Sequence, residues 1–292
     1  MSMEQRKTTL LLAAALMFVA CGKKEAPPAH DKAVPAPAAV AETKNAVGSK
    51  TARMMELLRA AYDSEGGDDY LLVDLPDVEQ RDVTGSYRLE PVAMHELPDG
   101  RMALVANAQP ADEHGEAMSA HATPGLLNVY VMHREAGRWE IDSRQENIAS
   151  LGSFGQFGTV DWVSLGNGKP GFTVQHGGTW QGQTISYLSV FDLTERTMHD
   201  LTQGLPLFST DEGICGENRS CTSVEGKWTF EKREGAGYDD LVLRFTGHEE
   251  SRAEDAAASA PRVRKELRGM ARYKFDGQHY VLIEGENIVP EV

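Results

Sequence analysis

The chain has 292 residues, 44 of them acidic against 29 basic, for a formal net charge of −15. Binding to nucleic acid is driven by Lys and Arg neutralising phosphates, so this carboxylate excess excludes it. It equally excludes peripheral attachment to anionic lipid through a basic patch.

Arg6 and Lys7 give a short basic start, residues 10–20 form an almost unbroken apolar run, and Phe18-Val19-Ala20-Cys21-Gly22 closes it. The run has the length of a signal-peptide core and is too short to span a bilayer as a helix. These residues resemble the signal peptide and lipobox of bacterial lipoproteins, with phenylalanine at position 18 where leucine is commoner. The resemblance implies cleavage before Cys21 and acylation of Cys21. With Gly22 rather than aspartate next, it implies an outer-membrane lipid anchor facing the periplasm. Two or more acyl chains hold such an anchor firmly.

Residues 1–20 are therefore expected to be a signal peptide. Residues 21–48 are expected to be the lipidated cysteine and a disordered Ala/Pro tether, because Pro27, Pro28, Pro35 and Pro37 interrupt a stretch without apolar periodicity. Residues 49–292 are expected to be a single β-rich domain. Its opening predicts a short helix over 50–63, where Met54, Leu57, Leu58 and Ala61 recur at helical spacing. Ser49 or Thr51 would cap its start and Gly66-Gly67 would stop it.

From there the chain predicts β-structure to its end, in strand-length apolar runs separated by turn signals such as Asp99-Gly100, Asn167-Gly168 and Asp276-Gly277. The strands recur as a unit. The first copy is 91–97, 102–107, 126–133 and 138–143; the second is 160–165, 171–175, 185–192 and 197–201; the third is 227–232, 240–245, 269–275 and 279–284. Leading strands start about 65–70 residues apart, and those of the second and third copies carry Trp162 and Trp228. Each unit reads as a four-stranded antiparallel meander, so the predicted fold is mostly β and propeller-like, with a β-sandwich as the alternative. Residues 70–90 would add strands and 201–214 a connection, and 108–125, 176–183 and 246–262 would be long polar loops. Asp161-Trp162 through Gly168-Lys169-Pro170-Gly171-Phe172 is similar to integrin-type FG-GAP repeats. The loop Leu165-Gly166-Asn167-Gly168-Lys169 lacks the anionic oxygens that calcium needs, so the resemblance implies fold and no calcium site.

With Cys21 acylated, Cys215 and Cys221 remain, an even pair in an oxidising compartment. A local structural disulfide is expected, with free thiols or a redox pair as the alternative; zinc would require two further ligands. No cofactor or metal is expected. There is no nucleophile elbow, P-loop, HExxH or dinucleotide fingerprint. Asp112-Glu113-His114-Gly115-Glu116, with His121, offers metal-capable side chains but reads as a solvated loop. So does His248-Glu249-Glu250-Ser251-Arg252-Ala253-Glu254-Asp255.

The candidate binding residues are His176, Trp180, Gln181 and Gln183, where glycines and a tryptophan offer a stacking face with hydrogen-bonding groups. The competing reading is a wide hairpin whose tryptophan packs on the sheet end. Phe154 and Phe157, in Gly152-Ser153-Phe154-Gly155-Gln156-Phe157-Gly158, would either plug the sheet edge or form a rim near His176. The expected function is a lipid-anchored envelope protein that binds another envelope or secreted protein, an inhibitor or immunity-type lipoprotein being one form. Its acidity would steer it to a basic partner. The alternatives are a glycan or small-ligand binder and a hydrolase without a recognisable motif.

Overall fold

A computed structural model describes residues 39–64, 68–76, 84–216, 220–253, 256–257 and 260–290. The expected signal peptide, Cys21 and the tether up to residue 38 lie outside these. Inter-residue contacts divide the chain into two units, Met1–Glu42 and Thr43–Val292, and all the β-structure belongs to the second.

Helix α1 runs Ala39–Tyr62. Residues 39–48, expected in the tether, thus belong to the helix, and Ser49 and Thr51 lie inside it rather than capping it. The expected apolar face is as read: Met54, Leu57, Leu58 and Ala61 are all buried. The helix ends where Asp63 takes a φ of 47° and Ser64 N–H reaches back to Arg59 C=O at 3.0 Å, closing the last turn. Among the described residues no helix is long and apolar enough to cross a membrane.

The rest is antiparallel β-structure in two sheets. The first joins β1 (Leu71–Pro76), β2 (Thr84–Glu96), β3 (Met102–Pro110), β4 (Gly125–Glu135) and β5 (Arg138–Leu151), each paired with its chain neighbour. The second runs β6 (Thr159–Ser164), β7 (Pro170–Trp180), β8 (Gln183–Asp192), β9 (Leu205–Thr210), β10 (Cys221–Glu231), β11 (Asp240–Ser251), β12 (Val263–Phe275) and β13 (Tyr280–Gly285), again in chain order. Among the described residues the fold is therefore mostly β, built of meanders of the propeller-blade type, with one α-helix near the start and a single 3-10 turn at Glu212–Ile214. β2–β5 and β10–β13 are the first and third expected units. In the second, 197–201 is not a strand. The fourth place belongs to β9, which also pairs with β10 through Ser223↔Thr210, Val224↔Ser209 and Glu225↔Phe208, and so joins the second and third units in one sheet. The expected loop 176–183 is largely strand, since β7 runs to Trp180 and β8 starts at Gln183, and β11 takes the first part of the expected loop 246–262 by running to Ser251.

β3 and β4 are buried on both faces, which explains their nearly continuous apolar sequence. Met102, Leu104, Ala106, Tyr130 and Met132 meet the Leu57–Leu58 face of α1. Ala103, Val105, Val129 and Val131 alternate with them and meet Phe172, Val174 and Phe191 of the second sheet. Tyr62 adds a polar clasp, sharing a 2.8 Å hydrogen bond with Tyr130 Oη and donating to Glu146 at 2.6 Å. A third cluster, including Leu188, Val190, Leu207, Val224, Leu243 and Phe245, fills β8–β11.

Candidate functional site

Two tight turns and one loop converge at one end of β7. The β7–β8 hairpin closes in two residues, Gln181 and Gly182, with φ of 47° and 84°. Two consecutive positive φ values match the right-handed twist of paired strands, so the hairpin is narrow and Trp180 stands beside its tip. A second two-residue turn follows β5. Ser153 and Gln156 exchange both backbone hydrogen bonds, at 3.1 and 3.0 Å, around Phe154 and Gly155, with φ of 54° and 74°. A bulky residue in the left-handed region is strained, and such strain persists only where the surroundings impose it. Here Phe154 N–H donates to His121 C=O at 3.2 Å, Gly155 N–H to Thr123 C=O at 2.8 Å, and buried Asn107 donates its amide to Gly155 C=O at 2.8 Å.

This clamp leaves three rings in a row on the surface. His121 lies 4.5 Å from Phe154 and 4.7 Å from Trp180, stacked on the latter at 21°. Phe154 is 59% exposed and Trp180 54%, values that set them apart from the packed rings of the core. Beside the row opens a cleft of about 350 Å³ lined by Ser150, Ser153, His176, Ile185 and Tyr187 together with His121 and Trp180. Its volume is at the low end of the range usual for small-ligand sites.

His176 sits at the base of the cleft. Its ring stacks on Tyr187 at 5.6 Å, and Nε2 lies 3.0 Å from the hydroxyl of fully buried Ser189. Ser189 donates at 2.7 Å to Asp200, whose carboxylate also accepts the N–H groups of Val190 and Thr202. Burial lowers the His176 pKa below its ordinary 6.5, and the Asp200 charge opposes that shift.

The structure thus brings His176, Trp180 and Phe154 together. Phe157 is a correction: its ring is 1% exposed and packs in the core between the sheets, so it forms no rim. Gln181 and Gln183 occupy the hairpin end and do not line the cleft. His121, Ser189 and Asp200 complete the site; the sequence marks His121 only as part of a solvated loop with metal-capable side chains, and no local pattern points to Ser189 or Asp200. Cys215 and Cys221 are joined as a disulfide with Cα atoms 5.5 Å apart, outside the cleft.

Asp112 does not gather ligands. It accepts the N–H groups of His114 and Glu116, both at 2.9 Å, as a turn former. His133, Glu135 and Glu140 bring ligand-type atoms within 4.8 Å of one another on the β4–β5 hairpin. All are at the surface, and His133 is held by Asp142 at 2.8 Å, an arrangement that surface ion pairing explains. A larger cleft of about 550 Å³ lies between the 166–168 turn and residues 232–239. It mixes Lys232 and Arg233 with Glu234 and Asp239, Arg233 being tied to Asp240 at 3.0 Å, and offers no ring.

No protein-family model matches the chain, and no curated protein matches it. Among solved structures it is similar to the Penicillium chrysogenum α-L-arabinanase complexed with arabinobiose, at 12% identity and a TM-score of 0.27. The likeness covers 74% of this chain and 66% of that one, under two thirds of its length. At that level it carries no argument about activity.

Proposed function

We propose that this chain is a lipid-anchored envelope protein, held at the outer membrane through Cys21, that works by binding, and that the cleft beside Trp180 takes a glycan. The observation that carries the reading is the exposed Phe154–His121–Trp180 row set against a cleft of about 350 Å³. Exposed aromatic side chains held by a rigid turn offer contact area at little cost in ordering, and loops on a β scaffold are where binding resides. Acrylamide quenching of intrinsic fluorescence tests it. Neutral oligosaccharide is expected to shield Trp180, and unchanged quenching with every sugar tried would refute it.

The anchor is tested separately. Cys21→Ser is expected to release the protein from the membrane fraction; retention there would refute acylation as its attachment. A protein partner is the second reading, favoured by Val281, Leu282 and Ile283 of edge strand β13, which are 39%, 49% and 48% exposed in succession. The carboxylate excess suits a basic partner.

A further inference from the structure

The hydrogen bonds around Ser189 fix which nitrogen of His176 carries the proton. The Asp200 carboxylate is acceptor-only: Oδ1 takes Val190 N–H at 3.1 Å and Thr202 N–H at 2.9 Å, and Oδ2 takes the Ser189 hydroxyl at 2.7 Å. Ser189 has one hydroxyl proton, and it goes to Asp200. Its oxygen can therefore offer His176 only lone pairs, so Nε2, 3.0 Å away, must be the N–H nitrogen. Burial favours the neutral ring, which leaves Nδ1 as a bare lone pair. Among the described residues none bonds Nδ1, and the ring lines the cleft.

The rest of the cleft narrows the ligand. No Lys, Arg, Asp or Glu is among the described residues lining it. An ammonium group would meet no counter-charge, and a carboxylate or phosphate would meet a lone pair and no cation. Both would lose hydration without recovering it. A neutral group with a flat apolar face and O–H donors meets every feature: rings to lie on, the Ser150 hydroxyl at the margin and an acceptor at the base.

We infer that His176 Nδ1 is the specificity-determining acceptor of this cleft, and that the ligand is a neutral carbohydrate which lays a ring face on Trp180 and donates a hydroxyl to Nδ1. The inference rests on the reading of the cleft as a glycan site. Ser189 and Asp200 are positioning residues. They hold the tautomer from behind and do not touch the ligand.

The tautomer is read without any ligand, by ¹⁵N NMR of the full-length chain labelled at histidine. At pH 7, His176 is expected to show a protonated Nε2 and an unprotonated Nδ1. A protonated Nδ1 would overturn the inference. Asp200→Asn tests the relay, because an asparagine amide turned toward Ser189 donates to it, Ser189 then donates to Nε2, and the proton moves to Nδ1. An unchanged His176 signal in folded Asp200→Asn would count against the relay; if that variant does not fold, the wild-type spectrum still decides.

Binding is read with neutral hexasaccharides of glucose, xylose and N-acetylglucosamine, and a hexasaccharide of uronic acid as the charged control. At least one neutral sugar is expected to bind, the uronic acid polymer not to. His176→Phe, which keeps a flat ring without the lone pair, is expected to weaken binding about tenfold, and His176→Gln to restore part of it. Neutral-sugar binding that depends on Trp180 but is unchanged in His176→Phe would overturn this inference and leave the glycan site standing. No binding of any neutral sugar would overturn both.

Discussion

Phe154 tests whether the aromatic row is held out by backbone strain. Its φ of 54° is imposed by the two-residue turn between Ser153 and Gln156 and by the bonds to His121 and Thr123. A residue with a Cβ is destabilised by about 1–2 kcal/mol in the left-handed region. Phe154→Ala and Phe154→Gly remove the same ring, so their difference isolates the backbone. Glycine relieves that strain but loses about 0.4–1 kcal/mol through the greater freedom of its unfolded chain. The glycine variant should therefore be the more stable by about 0.5–1 kcal/mol, or about 2 °C in Tm for a domain of this size. Urea unfolding followed by far-UV circular dichroism gives the difference directly. Equal stabilities, or a more stable alanine variant, would refute the claim that the turn strains Phe154. Both variants should bind ligand more weakly than wild type, because both shorten the stacking row.

Other perturbations probe the parts that support the site. Replacing Cys215 and Cys221 together by serine opens a short loop, with a sequence separation of 6, and should cost about 2 kcal/mol in urea unfolding with the cleft intact. Because folding depresses the His176 pKa, the unfolded chain takes up that proton first. Stability should therefore fall as pH drops below 6.5 and level off once the folded form is protonated too, and His176→Phe should flatten that part of the profile. Burial raises the Tyr62 and Tyr130 pKa values, with Glu146 adding to the shift, so stability should fall as pH rises above the ordinary tyrosine value of 10.0. Spectrophotometric titration should find both rings protonated beyond that pH until the fold is lost.

Features whose signal is local are legible in the sequence. The buried face of α1 follows from the spacing of Met54, Leu57, Leu58 and Ala61, and the strands of the first and third units from β-rich runs between turn residues. The start of α1 is not legible, because Lys44 and Gly48 carry no apolar periodicity. β9 reads as a connection, since it holds Pro206 and pairs over only a few residues with each neighbour. Residues 197–201 are strand-length and follow a turn signal, yet Asp200 is occupied in bonding Ser189, Val190 and Thr202. The β7–β8 turn lacks the Asn-Gly signature, so Gln181-Gly182 reads as part of a wide loop. At the site, Trp180, His176 and Phe154 stand out by residue type. Phe154 lies in the turn and Phe157 just after it in the same glycine-rich stretch, and nothing in the sequence tells that the first ring faces water and the second the core. His121 reaches Trp180 from the β3–β4 connection of the first sheet, a meeting no local pattern encodes.

Whether the cleft beside Trp180 binds a neutral glycan is tested most directly by calorimetric titration of the hexasaccharide panel into wild type and Trp180→Ala. Saturable one-site binding to wild type by at least one sugar is expected, weakened about tenfold or more in Trp180→Ala while its unfolding curve is unchanged. Absence of binding by every sugar, or equal affinity in the two proteins, would contradict the glycan site.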